Sequence, residues 1–435
     1  MQYEYSESFA KQLDKDDEIS HFRNKFHIPK IDGKEVNYFT GNSLGLQPKT
    51  VRELVNEELD SWAEHGVEGH FEGKRPWFHY HKFTKGMMAK LVGGLASEVV
   101  VMNSLTVNLH LMMVSFYRPT KTRFKIITEG GAFPSDQYAL ETQVRFHGFK
   151  PEDAIIELQP REGENTLCTE DILGEIKKHG DSIALVMMGG VQYFTGQLFD
   201  MKAITRAGHE AGAKVGFDLA HAIGNAPLEL HEWDVDFAVW CTYKYLNSGP
   251  GSTGGAFVNQ RYAQDLALPR FAGWWGYNEQ QRFLMQKGFV PMLGADGWQL
   301  SNVNVLPSAA ILASLEIFHK VDFKKLRRKS LLLTGYAEFL INSIIEKTGA
   351  KAQIITPTKP DARGCQLSLA LEEHGREVFD YLSKHGVMVD WREPNMTATQ
   401  PAIIRMAPIP LYNTFNDVYQ FAVKLEEALS EKHGE

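Results

Sequence analysis

Hydrophobic positions in the first part of the chain recur with helical spacing. Residues 1–30 have an amphipathic helical pattern, and the apolar positions between 48 and 66 share one helical face. The residues on that face are Val51, Leu54, Val55, Leu59 and Trp62. The segment 66–80 is aromatic, basic and too irregular for a regular element. The pattern therefore predicts an N-terminal arm and a helix, followed by a loop.

From about residue 100 to 260 the pattern changes to short, apolar, β-branched runs that alternate with helical segments. A helix fits Met201–Ala211, between two such runs. The runs predict strands at Lys125–Thr128, Ala184–Gly189, Lys214–Asp218, Phe237–Thr242 and Gly255–Val258. Apolar strands separated by helices are typical of βαβ units. This part of the chain is therefore expected to form a largely parallel sheet that is buried on both faces.

The C-terminal part of the chain predicts one long helix and a small α+β domain. The helical pattern starts after Pro307 and continues to about Lys347. The strands predicted beyond it are Gln353–Thr356, Cys365–Ala370, Gly386–Trp391 and Ile403–Ala407, and the helices are Arg376–His385 and Phe415–Ser430. We therefore divide the chain into an N-terminal arm with helices that pack on the small domain (1–65), a large domain (66–306), and a linking helix with the small domain (307–435).

Length, charge and cysteine content narrow the class of protein. The chain of 435 residues is too long for one compact core, and its net charge of −8 argues against a nucleic-acid or anionic-membrane surface as the main partner. The cysteines Cys168, Cys241 and Cys365 lie far apart, so neither a zinc site nor a disulfide framework is expected. The N-terminus lacks an apolar signal-peptide core and no segment is apolar enough to span a membrane, which predicts a cytoplasmic location.

Two neighbouring predicted strands end in residues suited to chemistry. Asp218 ends the strand in GFDLAHA and His221 follows it, while Lys244 follows the next strand in WCTYKYLNSGPG. Ligands of open α/β sheets bind at the carboxyl ends of the strands. Pyridoxal phosphate needs a lysine amine for its aldehyde and an acidic partner that keeps its ring nitrogen protonated. Taken singly, such residues are more often a solvated lysine and a helix-capping aspartate, but their joint position favours a Schiff-base cofactor site.

A phosphate group and an aromatic ring would need their own contacts. Asn103, Ser104 and Thr106 precede an apolar helix, whose free backbone N–H groups would form an anion site. Simple helix capping is the alternative role for these residues. In EGGAFPSD, Phe133 would either stack on the ring or belong to the core, and Asp136 follows the turn.

Three other features leave alternatives open. The histidines of the irregular segment suggest a metal site only weakly, because no carboxylate or cysteine completes a recognisable ligand spacing; they are His65, His70, His79 and His81. Trp274 and Trp275 would suit the core, an interface or a cofactor wall. Arg405 lies in an apolar strand, where an arginine is costly unless paired, so we expect a buried carboxylate partner from the protein or the substrate.

Several motifs together resemble the kynureninase family over essentially the whole chain, from GNSLGL to PLYNTFNDVY. They are GKRPW, LTVNLH, GGAFPSD, GFDLAHAIGN, WCTYKYLN and MAPIPLYN. The resemblance implies an α/β protein of the pyridoxal-phosphate-dependent transferase fold type I, with a largely parallel seven-stranded sheet, helices on both faces and a smaller α+β domain. It implies a hydrolase that uses pyridoxal 5'-phosphate to cleave the Cβ–Cγ bond of 3-hydroxykynurenine or kynurenine, which yields an anthranilate and L-alanine.

The resemblance also implies roles for individual residues. Lys244 forms the Schiff base, Asp218 pairs with the ring nitrogen, and Tyr243 binds the phosphate and acts as a general acid/base. Cofactor contacts are implied for Leu105, Thr106, Phe133, Pro134, Ser135, Asp136, Asp218, His221, Tyr243, Lys244, Trp274 and Asn302, without a metal. Substrate contacts are implied for His70, Ser301, Asn302 and Arg405, of which Arg405 binds the substrate carboxylate. Trp274 would reach the cofactor of the partner subunit, so a homodimer with shared active sites is expected.

One position departs from the family pattern. Gly189 stands where some members carry a cofactor-contacting serine, so that contact is either absent or made by the backbone. At the positions that contact the substrate ring, His70, Ser301 and Asn302 are similar to the branch that prefers 3-hydroxykynurenine. We therefore expect a preference for that small-molecule substrate over kynurenine.

There are two rival functions, an enzyme of the same fold and a protein of a different class. A cysteine desulfurase of the same fold needs a mobile cysteine nucleophile, whereas Cys241 lies in a predicted buried strand and the other two cysteines lie outside the site motifs. A cofactor-binding regulatory module without catalysis would be expected to carry a DNA-binding arm or a basic patch. Neither feature is visible in the sequence, so we expect no nucleic-acid partner and no membrane partner.

Overall fold

The structure is a computed structural model that describes residues 2–393 and 402–430. Its helices are α1 (Glu7–Lys15), α2 (Val51–His65), α3 (Tyr80–Leu91), α4 (Leu105–Phe116), α5 (Pro134–Phe146), α6 (Pro151–Ala154), α7 (Thr169–His179), α8 (Met201–Glu210), α9 (Val305–Lys320), α10 (Phe323–Thr348), α11 (Gly375–Lys384) and α12 (Phe415–Ser430). Its strands are β1 (Lys30–Ile31), β2 (Lys34–Glu35), β3 (Asn37–Tyr38), β4 (Val99–Val101), β5 (Lys125–Glu129), β6 (Ile155–Leu158), β7 (Ile183–Gly189), β8 (Lys214–Asp218), β9 (Phe237–Trp240), β10 (Gly255–Val258), β11 (Ala352–Ile354), β12 (Leu367–Leu371), β13 (Val387–Met388), β14 (Asp390–Arg392) and β15 (Ile403–Met406).

The central sheet has seven strands in the order β4-β10-β9-β8-β7-β5-β6. The strands from β9 to β6 in this order run parallel, and β10 pairs antiparallel with both of its neighbours. The predicted, largely parallel sheet is therefore confirmed. The apolar-run pattern missed β4 and β6, which are short strands at the two edges of the sheet.

Alternate side chains of the central strands enter two different hydrophobic clusters. In β7, Val186 and Met188 belong to a cluster that includes residues of α7, α8 and α9. Leu185 and Met187 belong to a second cluster, which includes residues of α4 and α5. Because successive side chains of a strand point to opposite faces, helices cover the sheet on both sides. This double burial explains why the strands are continuous apolar runs in the sequence.

The single helix predicted between 307 and 347 is wrong, because the structure has two helices there. α9 ends at Lys320, the backbone of Val321 is extended, and α10 begins at Phe323. Asp322 caps α10: its side chain accepts a hydrogen bond from the Lys324 N–H at 2.9 Å. The break allows α9 to pack against α2 and α3, while α10 packs against α12. Apolar positions continue through the break, so periodicity alone does not reveal it.

A second, antiparallel sheet has four strands in the order β11-β12-β15-β14. The strand predicted at Gly386–Trp391 is divided in two: β13 pairs in parallel with β3 from the N-terminal segment, and β14 joins the second sheet. The N-terminal α1 packs on α12, and the rings of Tyr3 and Tyr336 lie 5.6 Å apart. The division of the chain at residues 65 and 306 stays a prediction.

The carboxyl edge of the central sheet carries the residues singled out for chemistry. β8 ends at Asp218 as predicted, but β9 ends at Trp240 and not at Thr242. The chain leaves the sheet there because the Thr242 hydroxyl donates to the Thr253 carbonyl at 2.7 Å, which starts the turn that carries Lys244. None of the described helices is long and apolar enough to cross a membrane.

The cap at Asp322 gives a test of the helix break. We expect Asp322→Ala to lower the free energy of unfolding by about 0.5–2 kcal/mol, because the N–H that the carboxylate accepts loses its partner. Urea denaturation at one fixed protein concentration, followed by circular dichroism, measures the change. Asp322→Asn keeps a capping oxygen and serves as the matched control. Equal stability of Asp322→Ala and the wild type would contradict this role of the cap.

Candidate active site

Lys244 lies on the turn that follows β9, with its amine directed at the end of β8. Its Nζ is 2.9 Å from His221 Nε2 and 5.5 Å from the centre of the Phe133 ring. The side chain is half-buried, so it is accessible to a ligand while much of its surroundings is protein. The structure thus brings together three of the predicted site residues, which come from three different segments of the chain.

The N-terminal loop GNSLGL packs directly on this turn. The Gly45 N–H donates to the Tyr243 carbonyl at 2.8 Å, and a Cβ at Gly45 would lie 2.3 Å from the Lys244 carbonyl oxygen. Only glycine allows such a close approach. Nearby in the same loop, the buried Asn42 amide donates to Gln366 Oε1 at 2.9 Å. These residues are not among the predicted site residues, although the loop is one of the motifs that carry the resemblance.

His221 is a neutral hydrogen-bond acceptor for the lysine. Burial holds the pKa of its ring well below the usual range, and the charge of Lys244 lowers that pKa further. Nε2 therefore keeps a lone pair that accepts from the Lys244 amine, and the ring proton resides on Nδ1. Nδ1 is buried and has no hydrogen-bond partner among the described residues. The ring therefore presents an unused N–H group inside the site.

Asp218 and Asp136 form a buried carboxyl pair beside the lysine. Asp218 Oδ1 accepts from the Ala220 N–H at 2.7 Å. Burial raises the pKa of both carboxyl groups, and the charge of Asp218 raises that of Asp136 further. The hydrogen bond between them raises the pKa of Asp136 and lowers that of Asp218. Asp136 therefore holds the shared proton, and Asp218 is the ionised member that the Lys244 charge stabilises.

A set of free donors lies where α4 begins. Leu105 is the first residue of α4, and the preceding residue makes no side-chain cap, so the backbone N–H groups at this end are open. Thr106 is half-buried beside them. A Cβ at Gly254 would lie 3.3 Å from the Leu105 nitrogen, which shows how closely the GSTGG loop approaches this helix. In that loop the hydroxyls of Ser252 and Thr253 are buried and have no partner within the described chain. A phosphate group would satisfy these donors.

Tyr243 and Cys241 lie on the same turn as the lysine. Burial raises the pKa of the Tyr243 hydroxyl well above its usual value, so this group keeps its proton at neutral pH. Burial also raises the pKa of the Cys241 thiol to about 11. A buried thiol that stays protonated is a poor nucleophile. The cysteine next to the site is therefore unsuited to the desulfurase reaction.

The FPSD turn at the start of α5 forms one wall of the site. Phe133 precedes the helix, Pro134 is its first residue, and the Ser135 hydroxyl donates to Asp136 Oδ1 at 3.4 Å. The Phe133 side chain is 42% exposed, and its ring contacts Tyr193 edge-to-face with the centres 5.1 Å apart. Phe133 is therefore not a core residue, and it presents an aromatic surface beside the lysine.

Arg405 is almost fully buried, and its expected carboxylate partner is Asp390. Arg405 Nε donates to Asp390 Oδ2 at 2.6 Å, and Nη1 donates to the Tyr193 carbonyl at 2.5 Å. The guanidinium carbon also lies 5.7 Å from the centre of the Tyr193 ring. Tyr193 thus connects Arg405 to Phe133 and so to the lysine site. The prediction of a buried partner is confirmed, and that partner belongs to the protein.

Four predicted residues make their contacts elsewhere in the chain. His70 Nδ1 lies 3.0 Å from the Val67 carbonyl, and Trp274 packs against Phe283 with ring centres 6.0 Å apart. Ser301 and Asn302 are exposed. Within residues 2–393 and 402–430, no hydrogen bond or ring contact joins these four residues to Lys244. One chain therefore does not bring them into the lysine site.

The backbone of Gly189, the position that departs from the family pattern, is bound by another carboxylate. Its N–H donates to both carboxylate oxygens of Glu129, at 3.1 and 3.0 Å. A Cβ at Gly189 would lie 2.8 Å from Glu129 Oε1. The only feature of the sequence that points to Glu129 is its place directly after the predicted strand Lys125–Thr128. This glutamate is the main addition that the structure makes to the site.

The histidines of segment 66–80 and its surroundings do not converge. His79 Nδ1 is 3.1 Å from Glu279 Oε1, and His65 Nδ1 is 4.0 Å from Glu72 Oε2. His81 is buried on α3, where burial lowers the pKa of its ring to about 3. In the described part of the chain, no group of three or more histidine, cysteine or acidic residues is arranged to hold a metal ion.

These features together fit pyridoxal phosphate. The lysine amine suits the aldehyde, the ionised Asp218 suits a protonated ring nitrogen, and Phe133 offers a face for the ring. The orphaned hydroxyls of the GSTGG loop and the open end of α4 suit the phosphate. The site therefore has a matching group for each part of the cofactor.

Comparison with known proteins decides between the enzymes that use this cofactor. Residues 326–425 match the family model described as the kynureninase C-terminal domain. The kynureninase of Flavobacterium psychrophilum is 54% identical over 97% of this chain and 98% of its own length. That of Nematostella vectensis is 48% identical over 97% of this chain and 94% of its own length.

The chain belongs to the kynureninase family. Membership makes it a pyridoxal-phosphate enzyme that hydrolyses carbon–carbon bonds. It supports this function and not the desulfurase or the non-catalytic regulatory module.

Solved structures show the fold of this kynureninase-family chain. A cysteine desulfurase from Escherichia coli superposes with a TM-score of 0.76 at 17% identity, over 94% of this chain and 98% of that chain. One from Thermococcus onnurineus has a TM-score of 0.75 at 17% identity, over 91% and 95% of the two chains. The predicted fold type I of pyridoxal-phosphate enzymes is thus confirmed.

The position of Lys244 gives a test of the cofactor site. We expect Lys244→Ala to abolish turnover, because no amine would remain 2.9 Å from His221 to bond the cofactor aldehyde. Borohydride reduction of the wild type, followed by peptide mapping, should place the label on Lys244. Lys202→Ala, which changes an exposed lysine of α8, is the matched control and should keep both properties. A label on any other lysine would overturn the assignment.

Proposed function

We propose that this kynureninase-family enzyme hydrolyses 3-hydroxykynurenine in preference to kynurenine and releases 3-hydroxyanthranilate and L-alanine. The observation that supports the reaction is the cluster at the carboxyl edge of the sheet, where Lys244 lies 2.9 Å from a neutral His221 and beside the pair formed by Asp218 and Asp136. The preference for 3-hydroxykynurenine rests on the resemblance at His70, Ser301 and Asn302. When bound, pyridoxal phosphate supplies an electron sink that stabilises negative charge at the substrate α-carbon.

Lys244 and Asp218 have complementary tasks in this proposal. The Lys244 amine takes the proton from the substrate α-carbon and holds it next to His221, whose ring is neutral and accepts a hydrogen bond from it. Asp218 stays ionised because Asp136 carries the proton of the pair. An ionised carboxylate in a buried site keeps an adjacent ring nitrogen protonated, which maintains the electron sink.

Tyr243 and Arg405 assist at the two ends of the substrate. The Tyr243 hydroxyl keeps its proton because burial raises its pKa. In this proposal water adds to the γ-carbonyl of the substrate, the Cβ–Cγ bond breaks, and the hydroxyl supplies a proton to the β-carbon. Arg405 binds the substrate carboxylate. Its Nε and one Nη already bond to Asp390, which fixes the plane of the guanidinium group. Each Nη group has one further hydrogen atom, which the substrate carboxylate would accept in this proposal.

The substrate ring is bound at an interface between two copies of the chain in this proposal. An aromatic patch on one chain is exposed and is formed by Phe71, Trp274 and Phe283, which are 58%, 39% and 58% exposed. The rings of Phe71 and Phe283 both contact Phe78 at 5.8 Å, so the patch is continuous. His70 adjoins it at 6.3 Å from Phe71. Continuous apolar patches of this kind mark protein interfaces.

A second copy that covers this patch would complete both active sites. Trp274 would reach the partner's cofactor, and His70, Ser301 and Asn302 would gain a shared, water-poor environment for the substrate ring. The exposure of Ser301 and Asn302 in one chain supports the proposal, since residues that bind a buried ring need a cover. The cytoplasmic location stays a prediction.

The dimer is tested by placing a charge in the aromatic patch. We expect Phe283→Glu to sediment as a monomer and to lose most activity, because burying an unpaired carboxylate in an interface is costly. Analytical ultracentrifugation and a turnover assay measure the two effects. Phe146→Glu changes a side chain that is 77% exposed on α5 and is the matched control. A wild type that is active as a monomer would contradict the proposal.

The substrate preference is tested by the ratio of kcat/KM for 3-hydroxykynurenine and kynurenine. The 3-hydroxyl would exchange hydrogen bonds with His70 and Asn302, and a substrate without it would leave buried polar groups unpaired. That costs roughly 1–3 kcal/mol per group, so we expect a preference of about tenfold or more. The double variant His70→Ala with Asn302→Thr should lose most of this preference, while the control His79→Ala, whose ring pairs with Glu279, should keep it. A wild type that favours kynurenine would refute this proposal.

A further inference from the structure

Glu129 is a buried carboxylate that the proposed roles do not use. It is the last residue of β5, its side chain is 5% exposed, and both of its oxygens accept from the Gly189 N–H. One N–H shared by two oxygens fixes the plane of the carboxylate. The position of the group is therefore set by the backbone of the neighbouring strand.

Glu129 belongs to the same edge of the sheet as the proposed ring-nitrogen partner. β5, β7 and β8 are adjacent, Gly189 is opposite Asp218 in the β7–β8 register, and the Gly190 N–H donates to the Asp218 carbonyl at 2.7 Å. Only the end of β7 therefore separates the Glu129 carboxylate from Asp218. Two consecutive backbone amides therefore join the two acidic residues: the Gly189 N–H donates to the Glu129 carboxylate and the Gly190 N–H to the Asp218 carbonyl.

The charges that face Glu129 come from several elements. Burial raises the pKa of Glu129 to about 7, the Gly189 N–H opposes this shift, and the charge of Asp218 on β8 adds to it. The charge of Glu129 in turn raises the pKa of Asp136 on α5, whereas Lys244 lowers it. His221 is neutral in this pH range. Glu129 is thus a group whose charge changes near neutral pH.

We propose that Glu129 is a positioning residue that keeps the shared proton on Asp136, so that Asp218 remains ionised toward the cofactor ring nitrogen. The inference rests on the role proposed above for Asp218. When Glu129 loses its proton, its negative charge raises the pKa of Asp136, so Asp136 keeps the proton that it shares with Asp218. Asp218 is therefore kept as the acceptor as the pH rises through neutrality.

The contact between the Glu129 carboxylate and the backbone at position 189 requires a glycine there. A Cβ at this position would lie 2.8 Å from Glu129 Oε1, and a terminal carboxylate oxygen moves more easily than a strand. Any side chain at 189 would therefore push the Glu129 carboxylate off the amide that holds it. Because position 189 has no side chain, where some family members carry a serine, the Glu129 carboxylate can bond to its backbone N–H.

The test follows the proton directly in the holoenzyme. The infrared band of protonated carboxyl groups is recorded against pH, and its loss in Asp136→Asn assigns the part that belongs to the pair. Glu129→Gln keeps an oxygen for the Gly189 N–H but removes the negative charge. We expect this variant to lose the band at a pH about one unit lower, which corresponds to about tenfold weaker proton binding by the pair. Gly189→Ala should shift it in the same direction.

Controls separate this inference from a purely structural effect. Glu157→Gln changes an exposed glutamate on the adjacent strand β6 and should leave the band at the wild-type pH. The double variant of Glu129→Gln with Gly189→Ala should shift no further than Glu129→Gln alone, because both changes remove one interaction. An unshifted band in both single variants would overturn the proposal.

The role of Asp218 is measured separately from that of Glu129. The dissociation constant of pyridoxal phosphate in Asp218→Ala, determined by cofactor absorbance after dialysis, should rise by more than tenfold. If it does rise while Glu129→Gln leaves the infrared band in place, the inference about Glu129 fails alone. If the cofactor binds Asp218→Ala as tightly as the wild type, the role proposed for Asp218 fails, and with it the basis for the inference.

Discussion

The parallel pairing of β7, β8 and β9 is the constraint on which the site depends. The register places Gly189 opposite Asp218 and Asp218 opposite Val239, so three strands end at nearly the same level of the sheet. Because parallel strands all present their carboxyl ends at one edge, groups from distant parts of the chain meet there. The strands are buried on both faces, so this edge is part of a packed core. The register sets the levels of Gly189 and Asp218, to which Glu129 on β5 and Asp136 on α5 then bond.

The electrostatics of the site follow from burial more than from the number of charges. Burial suppresses ionisation of His221 and Asp136, so these groups are neutral donors or acceptors. The Lys244 amine and the Asp218 carboxylate remain as a charged couple in a poorly solvated environment. Buried charges are tolerated when they are paired and hydrogen-bonded. Neutral neighbours around one ionic couple allow a proton to move between groups without a large change in solvation.

The sequence predicted the parts of the site that lie within short motifs. Asp218, His221 and Lys244 could be found because each follows an apolar run that is recognisable as a strand. Glu129 also follows such a run, but its contact is with Gly189, 60 residues further along the chain. A carboxylate partner was predicted for Arg405, but the residue that supplies it was not, because the pairing with Asp390 depends on the register of the second sheet.

The fold shows the same division between local and long-range information. Central strands were predicted from their apolar runs, whereas the edge strands β4 and β6 were missed. β4 has only three residues, and β6 is partly exposed and contains Glu157. The break between α9 and α10 was missed because apolar periodicity passes through it, although Asp322 is a capping residue. The pairing of β13 with β3 joins segments that are far apart in sequence, and no local pattern encodes it.

The contact between Asn42 and Gln366 joins residues that are 324 positions apart, in a site whose sheet is complete by Val258. A chain emerging from the ribosome therefore has its lysine and its carboxyl pair long before it has the residues that enclose them. Arg405 is made later still. During synthesis the half-built pocket is open to water on the side that Gln366 and Arg405 later occupy. The residues that complete this side of the site therefore become available only near the end of translation.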